Sequence, residues 1–290
     1  MKLYLETPKD FHFKQTVNSH GWRSLAPFKY DETTGSLSYV LSGGDLKNPA
    51  TAVISEDDGK LKIEFADGKI STKARAKILR DARRILRFDD DLTDFYRAAE
   101  KEKEFAWIAK SRAGRLLRSP TVFEDLIKTI CTTNCSWTLT KNMVNNLVNN
   151  LGEVSADGKR AFPTAEKMAA MSPAFYRDEI RAGYRSAYFA ELAEKVAGGK
   201  LNPEDWLNTD LPTHELKKQM KQVKGVGDYA AENLLKLVGR YDGLALDSWL
   251  RAKFYKLRNA QTVCGDKEIE KFYARFDKWK GLAIWCDMSK

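Results

Sequence analysis

The sequence has few cysteines and no long apolar run, and each absence excludes a class of protein. Four cysteines occur among its 290 residues, and their spacing is irregular: Cys131, Cys135, Cys264 and Cys286. This set fits neither a disulfide framework nor a zinc site, so we expect small buried apolar thiols. No stretch approaches the roughly eighteen consecutive apolar residues that a membrane-spanning helix needs. We therefore expect a soluble protein without a membrane partner.

The N-terminus lacks the features of a secretion signal. Its opening residues, MKLYLETPKDFHF, contain no apolar segment followed by a small-residue cleavage site, so we expect a cytoplasmic protein. The net charge is a weaker indicator of the protein's binding partner. The chain has 49 lysines and arginines against 40 aspartates and glutamates, which gives a net charge of +9 and a pI near 9.2. That balance suits a polyanion such as nucleic acid, but it also occurs in ordinary proteins.

The first seventy residues or so differ in pattern from the rest. The segments SLSYVLSGG and PATAVISEDDGKLKIEFADGKIS alternate β-branched or aromatic residues with polar ones, and Gly-Gly, Asp-Asp-Gly and Asp-Gly interrupt them. Such interruptions are typical of hairpins in an antiparallel sheet. The sequence therefore predicts a small β-rich N-terminal domain.

From Thr72 onward the apolar residues recur at helical spacing. The repeat is first visible at Ala76, Ile78, Leu79, Ala82, Ile85 and Leu86. Helix-start signals follow in SPTVFEDLIKTICTT, TAEKMAAM, SPAFYRDEI and NPEDWLN. We predict an α+β protein with a β-rich domain at 1–75 and a larger helical domain at 76–290, the boundary lying between 70 and 90.

One glycine-containing turn inside the helical part has the features of a phosphate site. The pattern predicts that one helix ends at Lys224, that the chain turns through Gly225-Val226-Gly227, and that a second helix begins at Asp228. Backbone N–H groups at a helix start suit a phosphate oxygen, and glycines allow close approach. Lys221 and Lys224 would add positive charge. A tight turn between two packed helices is the alternative.

A solitary acid, Asp247, lies twenty residues beyond this turn in the segment LALDSWL. It precedes a helical pattern, so it could serve as the N-cap of that helix. At this helix start the Asp247 carboxylate would also lie at a fixed distance from a DNA strand bound by the hairpin. The two roles are compatible.

Together these residues resemble the helix-hairpin-helix (HhH-GPD) superfamily of DNA glycosylases. The hairpin is GVGDYAAENLL, and two further segments match in the family's order: GRLLRSPTVFEDLIKTICTTNCSW and AGYRSAYFAEL. Within the superfamily the chain looks most like 8-oxoguanine DNA glycosylase and 3-methyladenine DNA glycosylase II, which also carry a β-rich N-terminal domain. The resemblance covers nearly the whole length.

The resemblance implies specific roles in base excision repair. A damaged base would be flipped out of the duplex, and Asp247 would be the catalytic acid. The hairpin residues that would bind DNA are Lys224, Gly225, Val226, Gly227 and Asp228. Asn134 would fill the gap left by the base and Tyr184 would wedge against the stack. The alternatives are a helix C-cap amide for Asn134 and a partly buried core aromatic for Tyr184.

Tyr229 occupies the position at which strand-cleaving members of the family carry a lysine that attacks the sugar. Lys224 and Lys236 lie at other hairpin positions, so we expect a monofunctional enzyme that uses water. Tyr229 could stack on a positively charged alkylated purine, or only pack in the core. Other candidate walls of the base pocket are His20, Trp22, Trp249 and Trp285. Ser248 follows the acid where 3-methyladenine enzymes often carry an aromatic residue, which leaves the lesion open.

The resemblance also bears on cofactors and partners. Only Cys264 and Cys286 follow the acid, so no iron–sulfur cluster is expected, whereas the carbonyls of Val223 and Val226 could hold a structural monovalent cation. The expected partner is double-stranded DNA that contains a damaged base, bound by a monomer, in a bacterial-type cytoplasm at the nucleoid. An alkylated purine is the first expected substrate. An oxidised purine, or a non-catalytic DNA-binding module, is the alternative.

Overall fold

The computed structural model describes residues 1–44, 46–65 and 70–290. Its strands lie near the N-terminus: β1 (Lys2–Glu6), β2 (Lys29–Asp31), β3 (Ser36–Leu41), β4 (Ala50–Asp57) and β5 (Lys60–Phe65). They form one antiparallel sheet in the order β1-β5-β4-β3-β2. The predicted β-rich N-terminal layer is confirmed.

The turn between β4 and β5 shows why the hairpin forms where the sequence predicts it. Asp58 and Gly59 both have positive φ, 49° and 74°, as a two-residue hairpin turn requires. Asp57 and Lys60 then face each other across the two strands. The sequence pattern did not predict β1, which closes one edge of the sheet by pairing with β5. The Asp67-Gly68 turn signal lies outside the described residues.

The rest of the described chain is mostly helical. The helices are α1 (Phe13–Val17), α2 (Thr72–Ile85), α3 (Thr93–Glu100), α4 (Ala106–Ser111), α5 (Val122–Thr132), α6 (Trp137–Leu151), α7 (Ala165–Ala169), α8 (Pro173–Asp178), α9 (Ser186–Ala197), α10 (Thr213–Met220), α11 (Asp228–Leu237), α12 (Ser248–Arg258), α13 (Asp266–Tyr273) and α14 (Lys280–Ser289). Within the described ranges, every helix is too short or too polar to cross a membrane. The predicted α+β fold class is confirmed.

Local capping explains most of the predicted helix starts. Thr121, Thr164 and Ser172 each accept a backbone N–H of the following turn through the side-chain oxygen, which starts α5, α7 and α8. The segment NPEDWLN forms a short 3-10 helix, Pro203–Leu207, instead of an α-helix. The side-chain oxygen of its N-cap residue, Asn202, accepts the backbone N–H of Glu204, only two residues further along the chain.

Two hydrophobic cores divide the helices. The first core joins the inner face of the sheet to α2, α5, α6, α9 and α11. The second core joins α3 and α4 to α12, α13 and α14, although about 130 residues separate these two groups in the chain. The last described strand ends at Phe65 and α2 begins at Thr72. The change from strands to helices therefore occurs where the sequence pattern predicts it. The division into domains at residue 75 stays a prediction.

Two buried arginines hold the C-terminal end of α11 at the junction of the cores. Arg87 is fully buried and donates to the carbonyls of Lys236 (3.1 Å) and Leu237 (3.2 Å). Arg118 donates to the carbonyl of Leu237 at 3.0 Å. Cations are favoured at a helix C-terminus because the last carbonyls carry partial negative charge. This anchoring fixes the position of α11, the helix that carries Tyr229.

Candidate active site

The predicted hairpin is present, with a shorter first helix than expected. We expected that helix to end at Lys224, whereas α10 ends at Met220 and residues 221–227 form the turn into α11. Beyond Met220 the backbone bonds tighten, with the N–H of Gln222 donating to the Gln219 carbonyl at 3.0 Å. Gly225 then adopts φ +90°, a conformation that glycine tolerates and other residues rarely adopt. Gly227 precedes α11 with extended backbone and has no side chain to cap the helix, so the N–H groups of its first turn face outward.

The two glycines of the turn have different surroundings. A Cβ atom on Gly225 would lie 2.9 Å from Cδ2 of Tyr188 and 3.3 Å from Cγ2 of Ile130, so the turn packs tightly on α9 and α5. A Cβ atom on Gly227 would have no atom within 4 Å among the described residues. The first glycine therefore serves packing, and the second keeps the outer face of the hairpin open.

The hairpin lysines are more fully paired than the sequence suggested. Lys221 contacts the carboxylate of Asp228 at 3.0 Å, and Lys224 contacts Glu191 at 2.6 Å. The Lys221 and Lys217 ammonium groups lower the pKa of Asp228. The expected positive charge beside the turn is thus largely balanced by acids. A phosphate at this position would be held mainly by backbone N–H groups, with lysines available only after their ion pairs open.

Asp247 lies at the N-terminus of α12, as the N-cap interpretation required. Its Oδ1 accepts the N–H of Leu250 at 2.7 Å. The loop before it is tied to α11 at two points one helical turn apart. Glu232 accepts the N–H of Ala245 at 2.5 Å, and the Nζ of Lys236 donates to the carbonyl of Leu244 at 2.9 Å. These contacts explain how the hairpin helix and a residue twenty positions later keep a fixed separation.

Asp247 borders two adjoining concave spaces. We call the first the groove. It has a volume of about 720 Å³ and contains the hairpin turn together with Asn134 and Tyr184. We call the second the cavity. It has a volume of about 670 Å³ and is lined by aromatic residues. Asp247 and Tyr229 line both spaces, so the carboxylate stands at the opening between a surface groove and an interior pocket.

Tyr229 is half-buried beside this opening and lines the cavity, while its stacking and core-packing roles stay predictions. Burial, and then the neighbouring Asp247 carboxylate, raises the pKa of Tyr229 to about 12. The hydroxyl therefore keeps its proton at neutral pH and is available as a donor. A lysine at this position would instead place an amine next to Asp247.

Every aromatic residue predicted for the base pocket lines the cavity, namely His20, Trp22, Trp249 and Trp285. They differ in exposure. Trp22 is buried and donates its Nε1–H to Asp125 at 2.8 Å, whereas Trp249 is 46% exposed. The Nε1–H of Trp285 donates to the carbonyl of Ser19 at 2.9 Å, which joins the C-terminal helix to the N-terminal segment. The cavity wall is thus assembled from both ends of the chain.

His20 predicts a specific pH dependence of stability. Burial lowers its pKa from 6.5 to about 4, partly opposed by the bond from Nε2 to the Leu117 carbonyl. Between these values the unfolded chain binds a proton that the folded chain does not, so the free energy of unfolding falls as the pH falls. We expect a loss of up to about 3 kcal/mol between pH 6.5 and 4.

Urea unfolding at several pH values would measure this loss in the wild type and in His20→Gln. Glutamine can still donate an N–H to the Leu117 carbonyl but does not titrate in this range. The variant should therefore keep the pH dependence of the carboxylates and lose the part due to His20. Parallel curves for the two proteins would contradict the assignment.

Asn134 and Tyr184 lie together on the rim of the groove. Asn134 follows the end of α5 with φ +46°, which is the left-handed conformation of a helix C-terminal residue. Its side chain is exposed, and so is Tyr184, at 53%. The core-aromatic alternative for Tyr184 is therefore wrong, while both gap-filling roles stay predictions. Arg185 holds this rim by donating to the carbonyls of Ile130 (3.1 Å) and Thr133.

Several residues of the site were missed by the sequence analysis. Glu232 secures the loop before Asp247, and Asn233 and Lys236 line the cavity from the same face of α11 as Tyr229. Asn233 and Lys236 follow Tyr229 by four and seven residues, and such positions share one helix face. This spacing is the signal by which the sequence could have placed both residues at the site. Thr129 and Trp137 also line the cavity. They come from α5 and α6, and no local pattern relates them to the hairpin.

The cofactor expectations stay predictions. Within the described ranges there is no group of three or more histidine, cysteine or acidic side chains suited to a metal ion. The carbonyl of Val223 already accepts the N–H of Val226 at 3.0 Å, which leaves one of its lone pairs for a cation. Cys131 and Cys286 are buried as expected, whereas Cys135 and Cys264 are only half-buried.

Comparison with known proteins supports the sequence interpretation. No family model matches the sequence. A DNA-3-methyladenine glycosylase of Bacillus subtilis is 24% identical over 211 residues, which are 71% of this chain and 69% of that protein. The structure of MBOgg1 in complex with a low-affinity DNA ligand has a TM-score of 0.78 at 20% identity and covers 99% of this chain and 94% of its own.

Two further solved structures have the same fold. The 3-methyladenine DNA-glycosylase of Archaeoglobus fulgidus has a TM-score of 0.76 at 16% identity, over 99% of this chain and 98% of its own. The apo form of the Clostridium acetobutylicum 8-oxoguanine glycosylase/lyase has a TM-score of 0.75 at 17% identity, over 100% and 96%. The resemblance noted in the sequence is therefore confirmed in three dimensions: the chain has the fold of the 8-oxoguanine and 3-methyladenine DNA glycosylases.

Proposed function

We propose that this protein is a monofunctional DNA glycosylase that starts base excision repair by hydrolysing the N-glycosidic bond of a damaged purine. The observation that carries the proposal is the position of Asp247, which borders both the groove beside the hairpin and the aromatic cavity. A duplex bound along the groove could pass one extruded base into the cavity. The sugar of that nucleotide would then lie beside the carboxylate.

The chemistry follows from the charge that develops in the reaction. As the bond between sugar and base breaks, its electron pair leaves with the base and positive charge builds on the deoxyribose, as in other glycoside cleavages. The Asp247 carboxylate stabilises that charge and accepts a proton from the attacking water. Tyr229 keeps its proton and offers no amine at the position of the family's nucleophilic lysine. The product is an abasic site in an intact strand.

DNA binding in this proposal depends on the hairpin and the rim. Backbone N–H groups at the start of α11 would hold a phosphate, Asn134 would fill the gap left in the duplex, and Tyr184 would wedge against the neighbouring stack. The solved complexes of proteins with this fold, such as MBOgg1 with its DNA ligand, support the assignment. We propose that the protein acts as a monomer on damaged double-stranded DNA. Affinity should fall steeply with salt because phosphate contacts release counterions.

Two classes of lesion are candidates for the cavity. An alkylated purine agrees with the stacking surface of Tyr229 and with the name of the Bacillus subtilis relative. A neutral oxidised purine is favoured by a different observation, the positive charge that Lys236 and Lys253 carry in the cavity wall.

The first test is base release by the wild-type protein. Duplexes that have been methylated, or that contain 8-oxoguanine, should release free damaged base detectable by mass spectrometry. Unheated denaturing gels of the same reactions should show no strand nicks, whereas alkaline heating should cleave at the abasic sites. Nicks before heating, or an adduct trapped by borohydride, would overturn the monofunctional part of the proposal. Release of no base from any duplex would overturn the glycosylase assignment itself.

A further inference from the structure

Lys236 is a buried lysine in the wall of the cavity. It is 2% exposed and lies near the end of α11, on the helix face that carries Tyr229 and Asn233. Positions i, i+4 and i+7 project to the same side, so all three side chains reach the space into which a base would pass. Buried lysines are rare and are usually paired.

The ammonium group of Lys236 is incompletely satisfied. Its Nζ donates to the carbonyl of Leu244 at 2.9 Å and lies 5.5 Å from the ring centroid of Trp285. It forms no ion pair with any described residue, and an ammonium group has three hydrogens to donate. Burial lowers the pKa of Lys236 to about 8, so at neutral pH the group still carries its proton. It therefore retains donor capacity and positive charge in the cavity.

The charges around the cavity favour an electron-rich ligand. A second lysine, Lys253, donates its Nζ to the carbonyl of Met288 at 2.9 Å and lies 5.2 Å from the ring centroid of Trp249. In the cavity lining one carboxylate, Asp247, opposes these two ammonium groups, since the lowered pKa of His20 keeps its imidazole neutral. Glu232 also acts on Lys236 from outside the lining, and it is paired with Lys217 at 2.6 Å. A cationic base would meet this excess of like charge.

The tryptophan faces expected to stack on a cationic base already have cations beside them. Lys236 lies over Trp285, and Lys253 lies over Trp249. Cation–π attraction depends on the negative face of the ring, and a second cation near the same ring would be repelled by the first. Stacking on these two tryptophans is therefore less favourable for N-alkylated purines, which carry a positive charge.

An unpartnered hydroxyl independently indicates a polar ligand. Thr129 is 1% exposed and lines the cavity, and its Oγ1 has no hydrogen-bond partner among the described residues. A buried hydroxyl left without a partner costs about 1–3 kcal/mol. A ligand with a hydrogen-bonding edge would remove that cost, whereas a purely apolar ligand would not.

We propose that Lys236 determines substrate choice by donating a hydrogen bond to the exocyclic carbonyl oxygen of a neutral extruded purine. Thr129 supplies a second polar contact to the same base. The positive charge of Lys236 disfavours purines that carry a fixed positive charge after N-alkylation. The substrate class is therefore neutral, carbonyl-bearing damaged purines, of which 8-oxoguanine and hypoxanthine are examples. This inference rests on the proposed glycosylase function and deepens it.

The test compares neutral and cationic lesions under single-turnover conditions. Duplexes with 8-oxoguanine or hypoxanthine are compared with duplexes with 7-methylguanine, which keeps a carbonyl but is cationic. We expect the wild type to raise the rate of base release over the spontaneous rate by a larger factor for the neutral bases. In Lys236→Met, which preserves side-chain volume and removes the charge, the ratio of neutral to cationic excision should fall by about tenfold or more.

Lys256→Met is the matched control, because it removes one exposed lysine charge from α12 outside the cavity lining. It should weaken binding to all duplexes alike and leave the ratio unchanged. Lys236 also bonds the loop before Asp247, so a merely structural role would lower both rates together. Only a role in base recognition changes the ratio.

Three results would overturn the proposal while leaving the glycosylase function intact. These are a larger rate enhancement for 7-methylguanine than for the neutral bases in the wild type, an unchanged ratio in folded Lys236→Met, and an unchanged ratio in Thr129→Val. The threonine variant and the preference of the wild type decide the question even when the lysine variant does not fold. A wild type that releases no base from any of the duplexes would instead overturn the proposed function.

Discussion

Replacing Asp247 by asparagine is expected to reduce base release by at least about a hundredfold while the protein stays folded. The expectation of intact folding comes from the cap. Asparagine caps a helix about as well as aspartate, so the bond from the Leu250 N–H to Oδ1, 2.7 Å in the wild type, can be kept. What disappears is the negative charge that stabilises the sugar cation and the oxygen that accepts a proton from water. The effect should therefore appear in the rate of bond cleavage.

Single-turnover base release and duplex binding should be measured on the same preparations. Asp94→Asn is a suitable control, because it removes one exposed carboxylate from α3, which does not line the cavity or the groove. The control should retain the wild-type rate. Asp247→Asn should bind damaged duplex as well as the wild type or better, since the loss of a negative charge near DNA favours association.

This pair of measurements also distinguishes an enzyme from a non-catalytic DNA-binding module. A module has no need of the carboxylate, so normal binding by the variant, together with no base release by the wild type, would support the module. Full activity of Asp247→Asn would instead place the catalytic group elsewhere. Asp247→Ala is less informative, because it removes the cap and the charge together and costs about 1 kcal/mol of stability for the cap alone.

Gly225→Ala is expected to destabilise the protein by about 1–3 kcal/mol, whereas Gly227→Ala should change stability by less than about 0.5 kcal/mol. The two glycines are two residues apart in one turn, so they form a matched pair. Gly225 has φ +90°, and its added Cβ would lie 2.9 Å from the Tyr188 ring. Gly227 has ordinary extended backbone and open space around the Cβ position.

Urea unfolding gives the stability of both variants, and duplex binding at two salt concentrations gives their function. Gly227→Ala should fold normally but bind DNA more weakly, because a methyl group would project from the helix start where a phosphate has to approach the backbone. Equal stability of the two variants would contradict the packing described for Gly225. Unchanged DNA binding by Gly227→Ala would place the phosphate contact away from this turn.

The parts of the fold that depend on near neighbours were predicted correctly. The β4–β5 hairpin follows from Asp58-Gly59, and α2 follows from apolar residues at helical spacing. Turn residues and caps act over two to four positions, so the sequence displays them directly. The end of α10 was placed four residues too late. Lys221 to Lys224 continue the helical pattern, but after Met220 the backbone bonds tighten to a spacing of three residues, as from the N–H of Val223 to the Met220 carbonyl at 3.1 Å.

The pairing of charges was beyond prediction from the sequence. The sequence predicts that Lys224 adds positive charge beside the turn, yet Lys224 contacts Glu191, 33 positions earlier on α9. Lys236 does not occupy the position of the family's lysine, and its place in the cavity wall depends on residues far along the chain, such as Trp285 of α14, whose ring centroid lies 5.5 Å from its Nζ. An ion pair or a buried charge depends on which helices meet, and that is decided by packing across the whole chain.

The sequence by itself determined the hairpin, the N-cap position of Asp247 and the absence of a lysine at Tyr229. These features are local, because they depend on residue type and on spacing within a helix or turn. Only the tertiary structure decided which lysines are buried, which hydroxyl lacks a partner, and that Trp285 meets Ser19 across 266 positions of the chain. The physical reason is that burial removes water from a group, and the electrostatic properties of that group then depend on neighbours that are distant in sequence.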